Sequence, residues 1–87
     1  MNEGQPPSDR AQDPNAALGA AVRQLRERAG LDPGELATRA ELKEQDVVEI
    51  EAGRLEPTWG DLRRIAYALE VPLPDLFSLT ARFEGNG

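Results

Sequence analysis

The side chains best suited to chemistry are gathered in one short stretch, Glu44-Gln45-Asp46-Val47-Val48-Glu49-Ile50-Glu51. Its acids offer hydrogen-bond acceptors, and Gln45 offers a paired donor and acceptor. The chain contains no Cys and no His, which removes thiolate nucleophiles, imidazole bases, disulfides and Cys/His metal sites. Carboxylates without these partners or a Gly-rich phosphate loop form no catalytic constellation, so no enzyme, no catalytic residue and no cofactor is expected. Nor is a metal expected, because one helix cannot converge Glu44, Asp46, Glu49 and Glu51 on a single ion. What remains is recognition from a surface.

The elements that must present this stretch are helical. The chain has 87 residues, enough for one domain, with 39% hydrophobic residues and only 5% aromatic. A core of Leu, Val, Ile and Ala suits packed helices, so the fold class expected is all-α. Residues 1–15 are polar and Pro-rich and are expected to be a disordered arm. The folded domain is placed at 16–80 and a flexible tail at 81–87.

Within the domain, Ala17, Leu18, Ala21, Val22, Leu25 and Ala29 recur at helical spacing, and Gly30 follows as a stop, so a first helix is expected over about 15–28. Asp32-Pro33-Gly34-Glu35 is a helix start, with a capping acid, a proline in the first turn and a reciprocal glutamate. The second helix, about 33–39, buries Leu36, Ala37 and Ala40. The third, about 44–52, buries Val47 and Ile50 and stops at Gly53. Thr58 and Asp61 open a fourth helix whose stripe is Leu62, Ile65, Ala66 and Leu69. Pro72 and Pro74 read as a break, and Pro74-Asp75-Leu76-Phe77 as a short fifth helix or turn.

Residues 33–52 thus form two short helices joined by a tight turn, with the small Ala37 where the helices cross. Around this unit the sequence resembles the lambda-repressor-like family of Cro and phage-repressor type, also called XRE-type, over about residues 18–78. The resemblance is carried by Leu18-Gly19, Val22-Arg23, Leu25-Arg26, Gly30-Leu31, Glu35-Leu36-Ala37, Ile50-Glu51-Ala52-Gly53-Arg54, Pro57-Thr58, Leu62, Ile65-Ala66, Leu69, Val71 and Leu76-Phe77. It implies a compact five-helix domain that binds DNA, usually as a dimer, with the third helix in the major groove. It also implies a structural ion pair between Arg26 and Glu51.

With Val47 and Ile50 inward, Gln45, Val48, Glu49 and Ala52 face outward and Glu44 lies at the edge. Gln45 can pair with adenine, Glu44 or Glu49 can accept from the cytosine amino group, and Val48 can touch a thymine methyl. The candidate phosphate contacts are Arg39, Lys43, Arg54 and Arg63. Two features depart from the family pattern: Pro33 replaces a residue that commonly reaches a phosphate, and Glu41 stands where the turn often has Gly.

The net charge of −6 has the wrong sign for binding DNA by phosphate neutralisation alone. Two functions are therefore expected. One is a cytoplasmic, sequence-specific transcriptional regulator. The other is an interaction module, or antitoxin-like regulator, whose acidic face meets a basic protein partner. Leu73, Leu76, Phe77, Leu79 and Phe83 exceed what one small core needs and suggest a homodimer face. Trp59 is expected to cover the core edge. No apolar run is long enough for a membrane span, and the N-terminus does not read as a signal peptide.

Overall fold

The computed structural model describes residues 13–85. Residues 1–12 of the expected arm lie outside these. Five helices follow one another: α1 (Pro14–Arg28), α2 (Pro33–Ala40), α3 (Glu44–Glu51), α4 (Trp59–Leu69) and α5 (Leu73–Phe83). Among the described residues there is no strand.

Each start follows from local chemistry. The Asp13 carboxylate accepts from the Asn15 amide at 2.9 Å, so α1 begins at Pro14 and the last residues of the expected arm 1–15 are helical. Asp32 and Glu35 form a reciprocal capping box at α2, with both bonds at 2.8 Å. Thr58 and Asp61 form another at α4. In contrast, Lys43 makes no side-chain cap at α3. Glu44 and Asp46 instead place negative charge in its first turn, where the helix dipole favours it.

The ends of α1 to α4 share one device: a residue in left-handed geometry turns the chain, and the next amide reaches back five residues. The bonds are Leu31 to Arg26, Leu42 to Ala37, Arg54 to Glu49 and Val71 to Ala66, all N–H to carbonyl at 2.8–3.1 Å. Glycine supplies the turn twice, at Gly30 and Gly53. Glu41 and Glu70 supply it elsewhere, both at φ 60°, a conformation that costs a side-chain-bearing residue about 1 kcal/mol. Glu41 therefore takes the left-handed turn that glycine would have taken.

The expected short element at Pro74–Phe77 is an 11-residue helix reaching Phe83, so part of the expected tail 81–87 is helical. Pro74 sits in the first turn, where a missing N–H breaks nothing, so the prolines start α5 instead of interrupting it. Leu76 and Thr80 then fall one turn apart on the buried side. The Thr80 hydroxyl donates to the Leu76 carbonyl at 2.8 Å and is thereby satisfied.

Val22, Leu36, Val47, Ile50, Ile65 and Leu76 are fully buried and draw side chains from all five helices. Helix α1 packs on α3 and α5, and α2 on α3 and α4. With Leu76 inside this core, and Leu73 and Leu79 partly buried against it, the surplus apolar surface of α5 shrinks to Phe77 and Phe83. Trp59 is 61% exposed. Instead of being buried over the core edge it stacks on the exposed Phe77, ring centroids 6.2 Å apart.

Candidate nucleic-acid interface

Helix α3 is held from behind by α1. Gly19 makes this approach possible: a methyl group there would press against the Ile50 carbonyl oxygen and lie 2.6 Å from that of Glu51. Gly53 approaches the same helix, its missing Cβ position 3.0 Å from Ala16 Cα. Two turns along α1, Arg26 closes the seam. Its Nε donates to Glu51 Oε2 at 2.7 Å, its Nη2 to Glu51 Oε1 at 3.0 Å and its Nη1 to the Leu31 carbonyl at 2.8 Å. Both partners are about nine-tenths buried. This fork-on-carboxylate geometry joins α1, the α1–α2 loop and the end of α3. The Glu51 hydrogen bond holds the guanidinium still more firmly in its charged form.

Pinned in this way, α3 turns its other face to solvent. Glu44, Gln45 and Val48 are exposed, Ala52 continues the face, and Glu49 is half-buried along it. The outward side chains form a network of their own. Gln45 Nε2 donates to Glu49 Oε2 at 2.9 Å. Arg54 reaches back from beyond the helix, donating from Nε to Glu49 Oε1 at 2.7 Å and from Nη2 to Oε2 at 3.3 Å. The Arg54 hydrogen bond, then its positive charge, and finally the Gln45 amide hold the Glu49 carboxyl below the usual glutamate range.

The profile of the helix-turn-helix domain family matches residues 17–79. The chain belongs to this family. Among solved structures, the clp gene regulator ClgR of Corynebacterium glutamicum is 30% identical, with 79% of this chain and 90% of that one covered and a TM-score of 0.76. The restriction-modification controller protein C.AhdI of Aeromonas hydrophila is 27% identical, with 71% and 94% covered and a TM-score of 0.70. No curated protein sequence matches significantly.

In helix-turn-helix terms, α2 and α3 with the tight turn between them are the motif. The four cations expected at phosphates do not form one group. Arg39 and Arg63 meet with Arg64 and Tyr67 along a groove of about 520 Å³ between α2 and α4. Lys43 stands apart at the α3 start, and Arg54 is turned onto Glu49. Among the described residues no group of acids could hold a metal ion. No helix there is long and apolar enough to cross a membrane.

Two features of this site escape a reading of the sequence by helical faces. Gly19 was legible only as part of the family pattern, since its role depends on a contact thirty residues away. The Arg54–Glu49 pair did leave a signal. Gly53 after α3 brings the residue that follows it onto the residue four positions before it, a contact that is commonly apolar and here is ionic.

Proposed function

We propose that the protein is a cytoplasmic, sequence-specific transcriptional regulator that lays α3 in the major groove of DNA. The observation that carries this reading is the mounting of α3. Its back is fixed by the Gly19 approach and the buried Arg26–Glu51 pair, while Gln45, Val48 and Glu49 stand outward. The similar proteins named above, a gene regulator and a restriction-modification controller protein, support it. The pairing with Arg54 offsets the charge that Glu49 itself presents on this face, while the net charge of −6 is unchanged by it.

Arg39, Lys43 and Arg63 serve the phosphates, which gives a shallow dependence on salt, about 0.9 logarithmic units per contact. A homodimer joined through Phe77, Phe83 and Trp59, each exposed, would place two α3 helices on half-sites about one helical turn, 34–36 Å, apart. The folded unit extends the expected 16–80 at both ends, from the Asp13 cap of α1 to Phe83 at the end of α5.

Selection of bound fragments from a random DNA pool at low salt, followed by footprinting, tests the reading. The expected result is a two-fold site protected in one groove. A pool with no enrichment, together with co-purification of a basic protein, overturns it in favour of the acidic face as a protein-binding surface. Glu44 at the edge of that face, with Asp46 beside it in the first turn of α3 and a net charge of −6, favours this second reading.

A further inference from the structure

We infer that Glu49 and Arg54 are positioning residues that set the orientation of the Gln45 amide, so that Gln45 reads a base and Glu49 reads none. The inference rests on the DNA-binding reading above and assigns its specificity.

A free glutamine can turn its terminal amide over and present donor and acceptor in either order. Gln45 cannot do so without loss. Glu49 is an ionised carboxylate, which only accepts, so the face of the amide turned to it must be the NH2 group, as the 2.9 Å bond from Nε2 to Oε2 has it. Turning the amide over would set oxygen against oxygen. Glu49 is itself held by the two bonds from Arg54 at 2.7 and 3.3 Å, and Arg54 by its backbone bond to the Glu49 carbonyl at 2.9 Å. The chain of constraint therefore runs from the left-handed turn at Gly53 through Arg54 and Glu49 to Gln45.

Two groups of Gln45 are left for DNA: the amide oxygen and the second N–H. Adenine offers an N6 donor and an N7 acceptor, which match that pair. Guanine offers O6 and N7, both acceptors, so the fixed amide oxygen would face one of them. The network thus favours adenine over guanine at the base Gln45 meets. It also turns Glu49 away from reading cytosine: three of its roughly four acceptor positions are taken, and Arg54 offsets the charge that would draw in the cytosine amino group. Arg54 is likewise withdrawn from the phosphates.

The experiment is quantitative binding of the full chain to an operator and its single-base variants, with Gln45→Ala, Glu49→Ala, Arg54→Ala, Arg54→Lys and Arg39→Ala beside the wild type. Each variant is checked by its melting curve. Wild type should prefer adenine at one position per half-site by on the order of ten-fold. Gln45→Ala should abolish that preference. Glu49→Ala and Arg54→Ala should reduce it to about two- or three-fold at the same position and leave other positions unchanged, with Arg54→Lys retaining part of it. Arg39→Ala should weaken every sequence alike. The inference is overturned if Arg54→Ala lowers affinity uniformly and takes about one unit off the salt slope, the mark of a phosphate contact. It is also overturned if Glu49→Ala changes the preference at a different position, the mark of direct reading. Wild type binding no DNA at all would instead overturn the underlying reading, and this inference with it.

Discussion

Helix α3 carries two glutamate–arginine pairs only two residues apart in sequence, and they face opposite ways. Glu51 meets Arg26 and Glu49 meets Arg54, each with a shortest bond of 2.7 Å. The local chemistry is nearly the same. The surroundings are not: the side chains of the inner pair are 11% and 9% exposed, whereas Arg54 is 64% exposed and Glu49 27%. Away from water, a charge left without its partner is expensive, so the inner pair acts as a lock. At the surface the same pairing contributes little to stability. Its effect is on which way a neighbouring amide points. Solvent access, more than bond length, separates the structural pair from the recognition pair.

The largest effect is expected on the inner side. Arg26→Ala leaves the Glu51 carboxylate buried without a donor and removes the donor to the Leu31 carbonyl, and should cost about 3–5 kcal/mol. A domain of this size has about 5–15 kcal/mol in all, so the variant should be partly unfolded near its working temperature. Urea unfolding followed by circular dichroism measures this. Replacing both Arg26 and Glu51 by Met should recover most of the loss, because an apolar pair carries no stranded charge. A single variant as stable as wild type would erase the distinction between the two pairs.

Next comes the contact that brings the inner pair within reach. Gly19→Ala adds a methyl group against the Ile50 and Glu51 carbonyls, and α3 must move outward to admit it. Overpacking of this kind costs about 1–3 kcal/mol. Since the displaced segment includes Glu51, Gly19→Ala and Glu51→Gln should not be additive: the second change should cost less once the first has opened the seam. A double-mutant cycle in the same unfolding assay tests the coupling, and strict additivity would mean that the close approach and the ion pair are independent.

These two sites also mark how far the sequence can be read. The capping boxes at Asp32 and Thr58 were legible because a cap depends on residues three apart, and such geometry is written locally. The core stripes of α1 to α4 were legible because burial follows the helical period. For α5 the rule that failed was the reading of proline: Pro72 and Pro74 look like a break, yet a proline in the first helical turn is a start, and only packing against α1 shows that the helix continues to Phe83. The outward face of α3 was legible as a set of residues, Glu44, Gln45, Val48 and Glu49, but their roles were not. Projection onto a straight helix treats Arg54 as lying beyond α3, when the turn at Gly53 folds it back onto Glu49. Roles that depend on where the chain goes after a helix do not appear in that helix's own periodicity.

The smallest stability effect, and the sharpest test of the contrast, is on the outer side. Arg54→Ala should leave the melting temperature unchanged within error at neutral pH, because the guanidinium lies mostly in solvent and water can reach the Glu49 carboxylate to replace the lost bonds. The change should appear in titration. Arg54 keeps the Glu49 carboxyl below the ordinary glutamate range, so the pairing is present above that range and is lost as pH falls through the lowered value. In the wild type, the side-chain carboxyl resonance of Glu49 should therefore titrate at a lower pH than a free glutamate. In Arg54→Ala its midpoint should rise toward the ordinary value, and the side-chain amide resonances of Gln45 should follow the same curve in both proteins. Gln45 signals that ignore the titration of Glu49 would mean that the two are not joined in solution, and the outer pair would then be surface charge with no part in orienting the amide.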